Sequence, residues 1–238
     1  MTSTTVVLFD IDGTILSTSG AGRRAVNRAL EEVFGALPLD SHEFDGKTDP
    51  QIVRELMELA GVPPHQIGAR LPLALVRYVE ELHVELGGAD TGAHANGVYP
   101  GISALLDTLE ARDDVMLGLL TGNVREGAMA KLGAVGIDAA RFKIGAFGSD
   151  HAERPQLPAI ARQRAEVLLG QPVPGRNVVI IGDTPADMAC GRGIGARAIG
   201  VATGRYTVEQ LEACAAAAVF ATLSDTEAVV RAIFSSGA

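Results

Sequence analysis

The chain has 238 residues, enough for one large domain or for a core that carries an insertion. Hydrophobic residues make up 47% and charged residues 21%, a balance that excludes an intrinsically disordered chain. Its 29 acidic residues outnumber 20 basic ones for a net charge of −9, and aromatics reach only 4% with no tryptophan, so phosphate backbones, base-stacking surfaces and anionic membranes are poor partners.

Thr5-Val6-Val7-Leu8-Phe9 is a continuous apolar run, which predicts a strand buried on both faces. Similar runs lie at 115–120, 177–181, 196–201 and, more weakly, 217–220. Helical patterns fall between and after them, at 101–111, 124–135, 157–169, 185–192, 208–213 and 225–234. Strands alternating with helices predict an α/β fold, with a Rossmann-like parallel sheet covered by helices on both faces. From about residue 19 to 96 the strands stop. Residues 21–34 carry Ala25, Val26, Ala29, Leu30 and Val33 at helical spacing. Asp49-Pro50 reads as an N-cap with proline at N1, opening a helix to residue 60. A longer helical pattern covers 64–86, with a break expected at Leu71-Pro72, and the polar, glycine-rich 87–97 reads as a linker. The expected organisation is a core of residues 1–18 and 97–238 with a helical insertion of residues 19–96 directly after the first strand.

The longest apolar stretch, 213–221, is mostly alanine and shorter than the roughly 20 residues of a membrane-spanning helix. The N-terminus shows no basic segment followed by a long apolar one, and Cys190 and Cys214 form neither a CxxC nor a Cys/His zinc pattern, so a cytoplasmic setting is expected. His42, His65, His83, His94 and His151 have no metal-site spacing, and no GxSxG elbow is present. Gly191-Arg192-Gly193-Ile194-Gly195 precedes a strand instead of following one, which excludes a dinucleotide fingerprint.

Acidic residues collect where strands end. Asp10 and Asp12 follow the first strand and, two apart on an extended chain, point to one side. Asp12-Gly13 alone also reads as a turn. The apolar run ending at Gly182 is followed by Asp183, and Asp187 lies one helical turn later, behind a Thr184-Pro185 cap. Asp187 alone would be a favourable acid in a first helical turn. Gathered at one sheet edge, these four carboxylates would repel unless a cation or proton intervened, and an all-oxygen donor set is what Mg²⁺ takes. Thr121-Gly122-Asn123, at another strand end, offers a hydroxyl and backbone N–H groups to an anion, although Thr and Asn are equally residues of helix caps.

Asp10-Ile11-Asp12-Gly13-Thr14, Thr121 and Gly182-Asp183-Thr184-Pro185-Ala186-Asp187 together resemble the motifs of the haloacid dehalogenase superfamily: DxDGT, a strand ending in Thr or Ser, and GDxxxD. The helical insertion resembles the cap of the phosphoglycolate phosphatase and β-phosphoglucomutase branch. The family also places a cation before GDxxxD. Arg154 is the candidate here and Lys143 the runner-up, though Arg154 alone also reads as a solvated charge at a helix start.

The resemblance implies a Mg²⁺-dependent phosphatase acting on a small phosphorylated metabolite. Asp10 would be the nucleophile and Asp12 the general acid and base. Thr121, Gly122, Asn123 and Arg154 would hold the phosphate. Asp10, Asp12 (through its carbonyl), Asp183 and Asp187 would hold or flank the metal. The acid at Asp12 sets the chain apart from the dehalogenases. The same residues would serve a phosphomutase, or a phosphate-binding protein without turnover, in a monomer or small homo-oligomer. Gly46-Lys47-Thr48-Asp49 resembles a loop near the substrate in this branch, and Lys47, Arg23 and Arg24 could equally reach an anion or face water.

Overall fold

A computed structural model describes residues 4–36, 42–88 and 96–235. Strand β1 (Thr5–Phe9) is followed by a tight turn and the short strand β2 (Leu16–Ser17). Helices α1 (Ala21–Phe34), α2 (Asp49–Leu59) and α3 (Pro64–Gly87) come next, and β3 (Gly97–Val98) then pairs antiparallel with β2. The remaining chain alternates: α4 (Ile102–Glu110), β4 (Val115–Leu120), α5 (Arg125–Ala134), β5 (Ile144–Ala146), α6 (Leu157–Leu169), β6 (Val178–Gly182), α7 (Pro185–Cys190), β7 (Arg197–Val201), α8 (Val208–Glu212), β8 (Ala218–Phe220) and α9 (Thr226–Phe234).

The main sheet has six parallel strands in the order β5-β4-β1-β6-β7-β8. Its central strands β4, β1 and β6 are apolar from Val115, Val6 and Val178 onward because both faces are covered. Val7, Phe9, Leu117, Leu119, Val179 and Ile181 pack on one face with residues of α4, α5 and α9. Their neighbours Val6, Leu8, Met116, Leu120, Val178 and Ile180 pack on the other, against Leu157, Ala161 and Ala165 of α6. This alternation is the pleat of a strand expressed in its packing.

Strand order fixes where chemistry can occur. The chain runs outward from β1 through β4 to β5, then returns to β6 on the other side of β1. Phe9 is level with Leu119 on one side and Ile181 on the other, so the residues following β1, β4 and β6 emerge side by side. This is the switch-point crevice where open α/β sheets bind ligands.

The insertion has its own core, in which Ala25, Val26, Ala29 and Leu30 of α1 meet Val53, Leu56 and Met57 of α2 and Ala74, Tyr78 and Leu82 of α3. Val124, at the head of α5, joins this cluster from the sheet side.

Three local expectations are corrected. α3 continues through Pro72 without a break. Proline removes one intrahelical bond, to the Gly68 carbonyl, but both residues are exposed and water can satisfy that group. The N-cap of α2 is Thr48, whose hydroxyl accepts from Gln51 N, which puts Asp49 at N1 and Pro50 at N2. β5 has no counterpart among the predicted strands, because Ile-Gly-Ala is too short and too small to register as an apolar run. Most of the expected linker, residues 89–95, lies outside the described residues. Among the described residues no helix is long and apolar enough to cross a membrane.

Candidate active site

Asp10 leaves β1 at its carboxyl end, with its own amide bonded to Ile181 O at 2.9 Å. Its Oδ1 accepts from Ile11 N at 2.7 Å and its Oδ2 lies 2.9 Å from Arg154 Nη2. The residue is 6% exposed. Burial pushes its carboxyl up to about 6; Arg154 opposes the rise, and Asp187 and Asp12 add to it.

Gly13 turns the chain at φ 79°, and a Cβ there would lie 2.2 Å from Asp183 Oδ2, so both backbone and space call for glycine. Thr14, fully buried, donates its hydroxyl to Asp183 Oδ1 at 3.0 Å. Burial, with the nearby charges of Asp187 and Asp10, pushes Asp183 up to about 9. Asp187 closes a capping box on α7: its Oδ2 accepts from Thr184 N at 3.0 Å and from Thr184 Oγ1 at 2.6 Å. The other oxygen, Oδ1, accepts from Arg154 Nη2. One carboxylate oxygen from each of Asp10, Asp183 and Asp187 lies within 4.8 Å of the others.

Arg154 stands on a turn of 3₁₀ helix ahead of α6. It is 4% exposed and bridges Asp10 and Asp187. Its buried Nε has no protein partner among the described residues. Lys143 is elsewhere: exposed beside β5, it donates to Ala140 O. Of the two candidate cations, the fold therefore brings only Arg154 to the carboxylates.

Asp12 and the Thr121 loop meet from the other side. Asn123 Nδ2 donates to Asp12 Oδ2 and to Thr121 Oγ1, both at 2.7 Å. Asn123 N bonds Thr121 Oγ1, Val124 N bonds Asp49 Oδ2 at 2.7 Å, and Arg125 N bonds Ser149 Oγ. The leading amides of α5 are thus satisfied by protein, which narrows the candidate anion cradle to the Gly122 amide and the Thr121 hydroxyl. Gly122 lets the insertion approach: its carbonyl accepts from Asp49 N at 2.8 Å, and a Cβ on it would come within 2.0 Å of Lys47 O.

Asp10, Asp12, Asp183, Arg154, Thr121, Gly122 and Asn123 line a cavity of about 280 Å³ between sheet edge and insertion, which Arg23, Phe44 and Lys47 also border. Arg23 donates to His42 O and lies 3.9 Å over the Phe44 ring, while Lys47 pairs with Glu55 at 2.6 Å. Arg24 is exposed, bonds Glu85 and Ser19 O, and does not line the cavity.

Lys131, a lining residue, has no place among the sequence candidates, and Asp49 enters them only as a helix start and as the end of the 46–49 loop. Asp49, the first residue of α2, is buried where the insertion meets the 122–124 loop, and Lys131 is 5% exposed with Nζ 2.7 Å from Asp12 Oδ2 and 2.6 Å from Asn123 Oδ1. The sequence does carry a sign of Lys131. Val124, Gly127, Ala128, Lys131 and Leu132 share the buried stripe of one helix, where a lysine is out of place.

A protein-family model described as haloacid dehalogenase-like hydrolase matches residues 4–195. A search of curated proteins gives no match. Among solved structures, a hydrolase from Pseudomonas syringae superimposes with a TM-score of 0.70 at 21% identity, covering 98% of this chain and 100% of the other. A β-phosphoglucomutase from Clostridium difficile gives 0.71 at 18% identity, covering 97% of each chain. A predicted phosphoglycolate phosphatase from Haemophilus somnus gives 0.67 at 18%, covering 97% of this chain and 99% of the other. At these identities the structures testify to a shared fold, and the family match spans the sheet strands and loops that gather the carboxylates. The chain belongs to the haloacid dehalogenase-like hydrolases.

Proposed function

We propose that this hydrolase is a Mg²⁺-dependent phosphatase that cleaves a small phosphorylated metabolite of the cytoplasm through an aspartyl-phosphate. One observation carries the reading: Asp10 at the carboxyl end of the central strand, gripped by Ile11 N and Arg154, faces a cavity that also holds a second, more exposed carboxylate at Asp12. A cavity of about 280 Å³ suits a metabolite smaller than the usual drug-sized ligand.

Asp10 attacks phosphorus, and the bond from phosphorus to the leaving oxygen breaks with its electron pair moving to that oxygen. Asp12 supplies the proton that makes the leaving group an alcohol. In the second half, Asp12 takes a proton from water as that water attacks phosphorus, and the acyl-phosphate bond breaks with its electrons returning to Asp10. The sum is one ester and one water giving one alcohol and one phosphate. The Thr121 hydroxyl, the Gly122 amide and the orphaned Arg154 Nε are donors for the phosphoryl oxygens, with Asn123 holding Thr121 and Asp12 in place.

The carboxylate cluster fits a hard divalent cation. Its donors are all oxygen, they lie within 4.8 Å of one another, and Asp10 and Asp183 are both pushed upward when no cation offsets the repulsion. Asp10, the Asp12 carbonyl and Asp183 would hold Mg²⁺. Asp187, whose two oxygens are engaged by Thr184 and Arg154, would steady the cluster from behind. When bound, the ion supplies positive charge beside the phosphoryl oxygens. Residues 19–96 form the cap that excludes water and shapes the leaving-group side of the cavity, over a core of residues 1–18 and 97–238.

The test is phosphate release from p-nitrophenyl phosphate with Mg²⁺ and with chelator. Turnover is expected with the metal alone, and Asp10→Asn is expected to lower kcat on the order of 10⁴-fold, as loss of a nucleophile does. Metal-independent turnover, or an Asp10→Asn enzyme of undiminished rate, would refute the reading.

A further inference from the structure

We infer that Lys131 is a positioning residue for Asp12, fixing which carboxylate oxygen meets the leaving group. This rests on the phosphatase reading above. A lysine on the buried stripe of α5 is costly unless its ammonium is fully engaged. Here Nζ donates to Asp12 Oδ2 at 2.7 Å and to Asn123 Oδ1 at 2.6 Å. Asn123 Nδ2 returns to the same Asp12 oxygen at 2.7 Å and also holds Thr121 Oγ1. Asp12, Asn123 and Lys131 thereby close a ring of hydrogen bonds. Two donors fasten Oδ2, while Oδ1 accepts from no protein group among the described residues.

The asymmetry has a function. The Asp12 side chain is 43% exposed and stands at the start of a tight turn that closes on Leu16, so its orientation depends on the groups that hold its carboxylate. Proton transfer to a leaving oxygen depends on fixing distance and angle. A side chain tethered by one oxygen presents the other in a single direction. The insertion covers the tether: a Cβ on Gly22 of α1 would lie 3.4 Å from Lys131 Nζ and 3.9 Å from Tyr78 Oη of α3. Lys131 therefore acts through Asp12, and it is this buried ring that distinguishes it from the exposed lysine at 143.

Positioning of a general acid and ordinary structural support differ in leaving-group dependence. p-Nitrophenolate leaves without much help, whereas phenolate needs a proton delivered as the bond breaks. For Lys131→Met, kcat/KM is expected to fall on the order of 10²-fold further for phenyl phosphate than for p-nitrophenyl phosphate, matching the discrimination of Asp12→Asn. Both esters are measured on one preparation, so their ratio is independent of the fraction that folds. Lys131→Arg, which keeps charge and donors, is expected to recover part of the lost ratio. An active wild type whose Lys131→Met variant loses both esters alike, or changes only KM, overturns the assignment alone. A wild type that hydrolyses neither ester overturns the phosphatase reading and the assignment with it.

Discussion

Burial pushes the Asp49 carboxyl up to about 7; Lys131 and the Val124 amide pull it down, and Asp12 adds to the rise. An acid raised above its ordinary 3.8 keeps its proton in the folded chain after the unfolded chain has released it. Folded-state stability therefore falls as pH rises from about 4 through about 7 on account of this group. Asp49→Asn retains an acceptor for Val124 N and removes the titration. Its melting temperature is expected to gain on the wild type between about pH 5 and about pH 8. A pH-independent difference would mean that Asp49 is charged throughout. At this scale the sequence was legible where residues formed motifs: Asp10, Asp183 and Asp187 converge as their strand-end positions imply, while the Asp12 carboxylate turns aside to Asn123 and Lys131. Lys131 and the burial of Asp49 were hidden for a physical reason. Each takes its role from a partner remote in sequence, Val124 across the insertion boundary for Asp49 and Asp12 within the core for Lys131.

At the scale of elements, α2 is tied to the sheet side through its N-cap. Its N-cap hydroxyl, Thr48 Oγ1, accepts from Gln51 N and donates to Ala152 O at 2.6 Å, two residues before Arg154. One side chain thus starts a helix of the insertion and holds the loop that carries the buried arginine. Thr48→Val keeps the shape and loses both bonds. We expect a loss of about 1–2 kcal/mol in urea unfolding, together with weaker phosphate binding because the Arg154 loop loosens. Unchanged stability would show that the cap is dispensable. Strands β1, β4, β6 and β7 were legible, and β8 more weakly; the runs are most continuous in β1, β4 and β6, where burial on both faces forces apolar residues. β5 at the sheet edge and the two-residue β2 and β3 are paired by tertiary context, which leaves no such mark. Pro72 misleads in the same way: a breaker in isolation is tolerated where the freed carbonyl faces water.

Over the whole molecule, the gathering of acids sets the response to pH. Without a cation, Asp183 is pushed up to about 9 and Asp10 to about 6, both from 3.8. The folded chain then binds protons that the unfolded chain has lost, so stability in chelator falls as pH rises from about 4 to about 9. Melting temperatures in chelator are expected to decline across that range more steeply for the wild type than for Asp183→Asn, with Mg²⁺ flattening the wild-type curve. Equal slopes in chelator would show that the cluster does not hold these protons. The β2–β3 ribbon has a consequence at this same scale. Leu16 lies opposite Val98 and Ser17 opposite Gly97 in a two-stranded ribbon of its own, so the chain leaves the core and returns to it across strands about 5 Å apart. Whatever spans residues 18 to 96 hangs from a doorway already shut, and the entropy of closing it rises only by about 0.6 kcal/mol for each doubling of length. Evolution can therefore lengthen, shorten or swap the part that faces the leaving group while the sheet keeps its register, which lets one set of carboxylates be inherited by enzymes of many tastes.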